Sequence, residues 1–351
     1  MTLCLLLISI VFIACDEPES IEATVPTSLH GTYEGMRAFS EARDGDPHFI
    51  GNGIEQAFGL DYDDLECKSC HSMLSFTEPD DKVCNNCHKS LVDYSVGDLT
   101  CVQCHGRQLL EVAMGVTDLH LWKRSTNECV KCHTKREMHG DEKGITDPYR
   151  SLSDPEARDT KCLSCHNEAD LSQANHTTHK DTLDCSACHL KSVVTCYNCH
   201  FDTYMETGKD KSVSPIKNWV FLVNDEKGKV RAGNFQSVIY QNKKFVVFAP
   251  YHSHSVTKNA RSCSECHDNE AIQELKANDK ITVAKWNEST AKLVTKQGII
   301  PVVDGKMELE FLNYDSDSKS WSSAGTTADT TQYGYCTPLT EEQIAKLKQK
   351  K

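Results

Sequence analysis

The chain has little apolar material for its length, and negative charge predominates. Hydrophobic residues make up 38% and aromatic residues 7% of its 351 residues, which is little for an ordinary apolar core. Acidic residues outnumber basic ones by 51 to 38, which gives a formal charge of −13. This balance argues against nucleic acid and against an anionic lipid surface as partners. The excess of negative charge therefore indicates either a role in solubility or a cationic partner.

Long apolar runs are missing after the first residues. The apolar stretch over 3–14 is too short to span a bilayer and predicts the hydrophobic part of a signal peptide. It ends in Phe12, Ile13, Ala14 and Cys15, which resembles a bacterial lipoprotein box. We therefore expect a periplasmic or cell-surface lipoprotein, lipidated at Cys15 and anchored to a membrane. The alternative is an ordinary cleaved signal peptide.

Cysteine is unusually abundant. The chain has 19 cysteines, although a chain of this length can fold without disulfides. Sixteen of them lie in eight copies of Cys-x-x-Cys-His, the attachment pattern of c-type haem. The copies are Cys67, Cys70 and His71; Cys84, Cys87 and His88; Cys101, Cys104 and His105; Cys129, Cys132 and His133; Cys162, Cys165 and His166; Cys185, Cys188 and His189; Cys196, Cys199 and His200; and Cys263, Cys266 and His267.

The spacing of the motif follows from haem chemistry. Two thiols add to the two vinyl groups of one porphyrin, and the adjacent histidine binds the iron as its proximal ligand. Zinc sites and redox-active dithiols also use Cys-x-x-Cys, but neither requires a histidine after every second cysteine. We therefore predict eight covalently bound c-type haems. Their attachment outside the cytoplasm agrees with the predicted export signal.

A second set of histidines matches the demand for distal ligands. These eight are His30, His48, His120, His139, His176, His179, His252 and His254. Histidine on both faces gives a haem that relays electrons, whereas a haem without a distal histidine can bind substrate. Methionine or lysine can also be the distal ligand, and each spare histidine could instead be an ordinary surface or core residue. The sequence does not tell which histidine serves which haem.

The motifs divide the chain into regions. We expect a signal peptide over 1–14, an anchor with a tether and N-terminal cover over 15–60, and a seven-haem cytochrome domain over 61–205. A β-rich region with the eighth haem follows over 206–351. The linkers between motifs leave room only for short helices, so the haems must supply most of the core. The predicted fold is mostly irregular and α-helical, with short helices around stacked haems and a small β-rich C-terminal segment.

The C-terminal region carries the strand signals. Strands are predicted over 219–223, 230–240, 244–249, 299–303 and 307–312, a loop over 315–331, and a short helix from Thr340. Asp304 and Gly305 separate the last two of these strands and predict that they form a hairpin. Cys336, the odd cysteine, is expected to be an inert thiol, with an intermolecular disulfide as the alternative.

At its eight motifs the sequence resembles the octahaem c-type cytochromes. This group includes the hydroxylamine oxidoreductase, octahaem nitrite reductase and octahaem tetrathionate reductase families, and octahaem electron-transfer proteins of metal-reducing bacteria. The closely spaced motifs Cys185–His189 and Cys196–His200, followed by Phe201, are similar to a stretch of tetrathionate-reductase-like members. The resemblance covers 67–267 and is specific for haem rather than for a subfamily.

The resemblance implies two possible functions. The first is electron transfer by haem-to-haem hopping in extracytoplasmic respiration, with other cytochromes and quinol-linked or terminal reductases as partners, and with homo-oligomers possible. The second is a reductase or oxidase of a small nitrogen or sulfur compound, such as tetrathionate, nitrite or hydroxylamine, with one open or unusually ligated haem. All eight motifs end in histidine, so no proximal lysine marks a catalytic haem and no catalytic residue is predicted. We therefore expect an electron carrier.

Overall fold

The computed structural model describes residues 21–32, 34–65, 87–88, 96–117, 129–146, 157–167, 174–209 and 211–349. The predicted signal peptide and several predicted site residues lie outside these ranges, namely Cys15, Cys67, Cys70, His71, Cys84 and His120. No helix within the ranges is long and apolar enough to cross a membrane.

A nine-stranded mixed sheet is the largest ordered unit in the described ranges. The strands are β1 Phe49–Ile50, β2 Val193–Tyr197, β3 Cys199–His200, β4 Val213–Asp225, β5 Val230–Tyr240, β6 Lys243–Pro250, β7 Ile281–Asn287, β8 Lys292–Thr295, β9 Gly298–Pro301, β10 Met307–Leu309, β11 Phe311–Asp315, β12 Ser320–Gly325, β13 Thr330–Gly334 and β14 Cys336–Thr337. The main order is β1-β13-β6-β5-β4-β14, with β2 and β9 also paired to β4 and β3 paired to β5. Strands β10, β7 and β8 form a second sheet, and β11 pairs with β12.

Aromatic side chains of the central strands form the core of this unit. Trp219 and Phe221 of β4 are completely buried, and they pack against Phe235 of β5. The indole N–H of Trp219 donates a hydrogen bond of 2.9 Å to the hydroxyl of Thr195 on β2. Bulky apolar residues suit a pleated surface covered on both sides, which explains why this run forms a central strand.

The helices are short and carry most of the described motifs. They are Ile21–Thr24, Leu29–Thr32, Glu34–Glu41, Ile54–Phe58, Asp98–Cys101, Gly106–Ala113, Cys129–Cys132, Lys135–His139, Glu142–Thr146, Ala174–His179, Cys185–His189, Phe201–Thr207, Cys263–His267, Glu270–Asn278 and Glu341–Leu347, with 3-10 turns at Val25–Thr27, Tyr62–Asp64 and Cys162–Ser164. Among the residues between 87 and 180 whose burial the structure describes, Ala157 is the one buried apolar residue. The polypeptide itself therefore supplies almost no apolar core there.

The predicted fold class is wrong. The protein is not mostly irregular and α-helical with a small β segment, because the nine-stranded sheet is its main core. The sheet also takes in β1, β2 and β3, which precede the expected start of the β region at residue 206. These three strands are short, and two of them contain haem-motif residues. Their sequences therefore lack a recognisable strand pattern.

Three local predictions also differ from the structure. The strands flanking Gly305 do not pair with each other, because β9 pairs with β4 and β10 pairs with β7. The predicted loop over 315–331 contains β12, which pairs with β11. The polar stretch over 16–27 predicts a flexible tether, but its described part, residues 21–27, is helical, and Thr27 is buried beside Asp141.

Candidate haem sites

Most described motifs lie on or next to a short helical turn. Residues three positions apart share one face of such a turn, so both thiols of a motif can reach the edge of one porphyrin. These turns are Asp98–Cys101, Cys129–Cys132, Cys162–Ser164, Cys185–His189 and Cys263–His267. Asp184 caps the fourth by accepting a hydrogen bond from the backbone N–H of Ser186, and Ser262 forms a capping box with Glu265 at the last. The motif Cys196–His200 differs, because it lies on β2 and β3.

Four motif histidines each face a second histidine. The pairs are His105 with His30 at 5.9 Å between ring centroids, His88 with His139 at 5.9 Å, His133 with His254 at 6.4 Å, and His189 with His176 at 6.1 Å. Every pair joins a predicted proximal ligand to a predicted distal ligand. The structure therefore brings together residues that the sequence could only place in two separate sets.

The spacing within these pairs fits one iron between two imidazoles. An imidazole nitrogen binds a metal at about 2 Å and the ring centroid lies about 1 Å behind it, so two axial rings have centroids about 6 Å apart. Ordinary aromatic contacts also fall within about 4.5–7 Å, so distance alone does not identify a metal site. These pairs differ from ordinary aromatic contacts because all four match a motif histidine with a spare one.

In two motif histidines the Nδ1 atom faces a backbone carbonyl group. The Nδ1 atom of His189 lies 2.9 Å from the carbonyl oxygen of Thr257, and that of His267 lies 3.1 Å from the carbonyl oxygen of Leu347. A carbonyl only accepts, so Nδ1 carries the proton and Nε2 keeps its lone pair for a metal. Histidines that bind metals typically donate their other N–H group in this way.

The distal members of three pairs are histidines with an unsatisfied buried nitrogen. The Nδ1 atoms of His30, His139 and His176 are buried without a hydrogen-bond partner. Burial, together with the neighbouring His105 and His133, lowers the pKa of His30 to about 4. Burial also lowers the pKa of His139, again beside another imidazole, His88. Neutral imidazole is the form that binds a metal, so these residues fit an iron ligand.

Two buried carboxylates flank the pair of His133 and His254. Glu137 Oε2 lies 2.8 Å from the Nδ1 atom of His133, and Glu111 Oε2 lies 3.2 Å from the Nδ1 atom of His254. Glu111 is fully buried and also lies 3.2 Å from the hydroxyl of Tyr251. Burial opposes ionisation of Glu137, but hydrogen bonds from His133 and from backbone N–H groups outweigh it and lower the pKa of Glu137. Each carboxylate would make its imidazole a stronger electron donor to a metal.

Contacts between thiols bring three motifs together. The thiol of Cys162 donates a hydrogen bond to Cys185, which lowers the pKa of Cys185 to about 7. Burial, together with the nearby Cys188, raises the pKa of Cys266 to about 11. The motif beginning at Cys185 therefore adjoins both the preceding motif and the last one.

His200 lies in a different environment from the paired histidines. Its ring is buried, and its Nδ1 atom lies 3.0 Å from the hydroxyl of Thr203. Burial lowers its pKa, although the nearby Asp202 opposes this. The described rings that contact His200 are those of Tyr314 and Trp321, with centroids at 6.3 and 6.4 Å. An open cavity of about 370 Å³ adjoins His200.

Two other predicted distal ligands lie against different groups. His48 is exposed, stacks on Tyr335 at 5.1 Å and has its Nδ1 atom 2.5 Å from a carboxylate oxygen of Glu226. His252 is half-buried, and its ring nitrogens lie 3.5 and 3.4 Å from the guanidinium of Arg231. Burial and the positive charges of Arg158 and Arg231 hold the pKa of His252 well below its ordinary value. His179 shares the helix Ala174–His179 with His176, in keeping with their spacing.

Several site residues have no clear signal in the sequence. Glu137 follows His133 by four residues, so a helix prediction over that stretch could have paired them. Glu111, Tyr314 and Trp321 are distant in sequence from the histidines that they contact. Long-range packing places them there.

The described residues do not form a zinc-type cluster. Within those ranges, no group of three or more histidine, cysteine, aspartate or glutamate side chains could hold a metal ion. A haem needs only two axial side chains, which is the arrangement of the four histidine pairs. Comparison with protein-family models, curated proteins and solved structures finds no match to this chain.

Proposed function

We propose that the protein is an exported c-type cytochrome with eight haems that transfers electrons in extracytoplasmic respiration. The observation that carries the proposal is the set of four histidine pairs, each joining a motif histidine to a spare histidine with ring centroids 5.9–6.4 Å apart. The proposal includes membership of the octahaem c-type cytochromes. It also includes anchoring through Cys15 and redox proteins such as other cytochromes as partners.

The residues of each site have distinct roles in this proposal. The two cysteines of a motif hold the cofactor covalently, the motif histidine is the proximal ligand, and the facing histidine is the distal ligand. When bound, the haems supply one-electron redox chemistry. The hydrogen bond from Nδ1 of His189 to the carbonyl of Thr257 would fix the tautomer of that imidazole. A histidine on both faces leaves no position for substrate, which favours electron transfer at these four sites.

Contacts between motifs support transfer from site to site. Cys162 hydrogen bonds to Cys185, and Cys188 lies near Cys266. Cofactors attached to these thiols would have neighbouring edges, and closely spaced edges are what electron hopping requires. The motif in the middle, Cys185–His189, would therefore exchange electrons with two others.

The proposal is tested by counting covalently bound haems. Purified protein from a host that matures c-type cytochromes should carry eight haems by intact mass and by haem absorbance. The double substitution Cys185→Ser and Cys188→Ser should remove one haem, whereas the matched control Cys336→Ser should remove none because Cys336 lies outside the motifs. Colourless wild-type protein, or a mass no higher than that of the polypeptide and its lipid, would refute the proposal.

A reductase or oxidase of a small compound is the second candidate function. One observation favours it, since no described histidine ring contacts His200 or His267. An iron without a distal histidine can bind a small molecule. Electron paramagnetic resonance of the oxidised protein separates the two functions, because a pure relay has only low-spin haems.

A further inference from the structure

We propose that Arg261 holds two neighbouring haem sites together and raises the reduction potential of both haems, so that electrons collect on this pair. The two sites are the motifs Cys185–His189 and Cys263–His267. This inference rests on the proposed function, because it requires haem at both motifs. It goes further by giving the relay a direction within the protein.

A connecting segment, residues 251–262, joins the two motifs. The backbone N–H of Thr257 donates a hydrogen bond of 2.8 Å to the carbonyl of His189, whose Nδ1 atom lies 2.9 Å from the carbonyl oxygen of Thr257. The hydroxyl of Ser255 donates a hydrogen bond of 2.5 Å to the carbonyl of Ser192. The connecting segment is therefore fixed on the end of the first motif before the chain enters the last one.

Arg261 completes this attachment two residues before Cys263. Its backbone N–H donates a hydrogen bond of 3.1 Å to the carbonyl of Cys188. Its Nη2 atom donates to the carbonyls of Leu190 and Lys191, at 2.7 Å each. Basic side chains commonly satisfy the carbonyl groups at the end of a helix in this way. Arg261 is therefore a positioning residue that holds the last motif against the end of the first.

The guanidinium of Arg261 is buried with little to neutralise it. Its side chain is only 9% exposed, and the ion pair that it makes among the described residues joins it at 3.9 Å to Glu265, which is 55% exposed. Its Nε atom is buried without a hydrogen-bond partner among those residues. Burying a charge with a weak partner is costly, and an amide could donate to the same carbonyls without that cost. The retained charge therefore indicates a role beyond hydrogen bonding.

Both attachment sites lie within reach of this charge. Burial lowers the pKa of Arg261, but the nearby thiols of Cys266 and Cys188 raise it, and a guanidinium stays protonated in proteins. Thiols bound to a porphyrin carry no charge, so the iron is then the group whose charge changes. Ferric iron carries one more positive charge than ferrous iron, and a neighbouring cation therefore favours the ferrous state. Arg261 should raise the potential of both haems.

The opposite charge lies at another site on the connecting segment. His254 belongs to this segment and faces His133. The buried carboxylates of Glu111 and Glu137 flank that pair and favour ferric iron there. An electron that leaves ferrous iron beside His254 and reduces ferric iron beside Arg261 therefore moves to lower free energy. The buried charges thus give the relay a direction.

The first experiment is a redox titration of charge variants followed by electron paramagnetic resonance. Arg261→Met keeps the length of the side chain but removes its charge. For about 10 Å from the guanidinium to each iron and an effective dielectric constant of about 20, the ratio of ferrous to ferric iron at a fixed potential should fall roughly ten-fold in two haems. Arg261→Lys keeps the charge and should change this ratio by less than about three-fold. Arg43→Met, at an exposed arginine paired with Glu55, is the control and should shift no haem.

A second experiment identifies the two haems. The double substitution Cys263→Ser and Cys266→Ser should remove the last haem, and adding Arg261→Met to this background should shift one haem rather than two. Glu265→Gln removes the exposed carboxylate beside Arg261 without changing the arginine. It should shift the same two haems in the opposite direction and by less, because solvent screens an exposed charge.

Three results would overturn the inference while leaving the proposed function intact. One is an Arg261→Met protein with eight haems at wild-type potentials, or, should that variant fail to fold, a Glu265→Gln protein without any shift. Another is an equal fall in Arg261→Met and Arg261→Lys, which would exclude charge as the cause. The third is a haem that responds to Glu111→Gln and is reduced before the two that respond to Arg261→Met. Wild-type protein without haem would instead end the proposed function together with the inference.

Discussion

The two carboxylates beside His133 and His254 should lower the reduction potential of the haem between them. Glu137 and Glu111 are each hydrogen-bonded to the Nδ1 atom of one of these histidines. Negative charge stabilises ferric over ferrous iron, because the ferric state carries one more positive charge. The substitution Glu111→Gln keeps the size of the side chain and a hydrogen-bond acceptor but removes the charge. It should therefore raise the potential of this haem.

The size of the shift follows from the geometry. Adding about 2 Å across the ring and about 2 Å for a metal–nitrogen bond to the 3.2 Å hydrogen bond places the Glu111 carboxylate about 7 Å from an iron bound by His254. At an effective dielectric constant of about 20, a unit charge at this distance contributes roughly 2.4 kcal/mol, or about 100 mV. Because Glu137 is similarly close to His133, Glu137→Gln should shift the potential by a similar amount.

The assay is a redox titration of the purified protein followed by electron paramagnetic resonance. In each variant one haem of eight should move to higher potential. Glu142→Gln, at an exposed glutamate on the nearby helix Glu142–Thr146, is the matched control. A shift below about 20 mV, or an equal shift in the control, would refute the electrostatic argument.

Two further predictions follow from the same structure. His254→Ala should convert one haem from low-spin to high-spin, whereas His48→Ala should change none, because His48 stacks on Tyr335 rather than on a motif histidine. Spin counting by electron paramagnetic resonance checks both, and equal effects would contradict the pairing. Protein made without haem should be cleaved first within 87–180, where the described residues include almost no buried apolar side chains, while 213–349 stays resistant. Limited proteolysis with mass spectrometry checks this, and equal resistance of the two regions would contradict it.

Local chemistry could be predicted from the sequence, whereas long-range packing could not. Strand β5 has the predicted bounds Val230–Tyr240, because its apolar and β-branched residues specify a strand by themselves. The turn at Gly305 is also present, with a φ of 65°, yet the strands beside it join different sheets. A turn residue fixes the backbone over a few positions, but it does not choose the partner of a strand.

The histidines show the same division. The proximal set follows from the attachment motif, which is a covalent requirement over five consecutive residues. The pairing of His133 with His254 depends on how helices and loops far apart in the chain pack, and no spacing rule encodes that. The equal numbers of motif and spare histidines would allow a histidine on both faces of every haem, but they do not require it. His48 and His200 have surroundings unlike those of the paired histidines. Equal numbers of motif and spare histidines therefore do not mean that all histidines have the same role.

The position of His200 on the sheet gives a physical reason for this difference. A histidine pair needs only two rings brought to opposite faces of one cofactor, and short helical turns with little apolar core can provide that. Rigid strands hold a side chain at a fixed position more precisely than short turns do. Strand β3 carries His200 and pairs with the central strand β5, while hydrogen bonds between Asn198 and Leu312 fix the β11–β12 hairpin beside it. His200 is therefore held by the main sheet, whereas most of the paired histidines lie where the described chain has little apolar core.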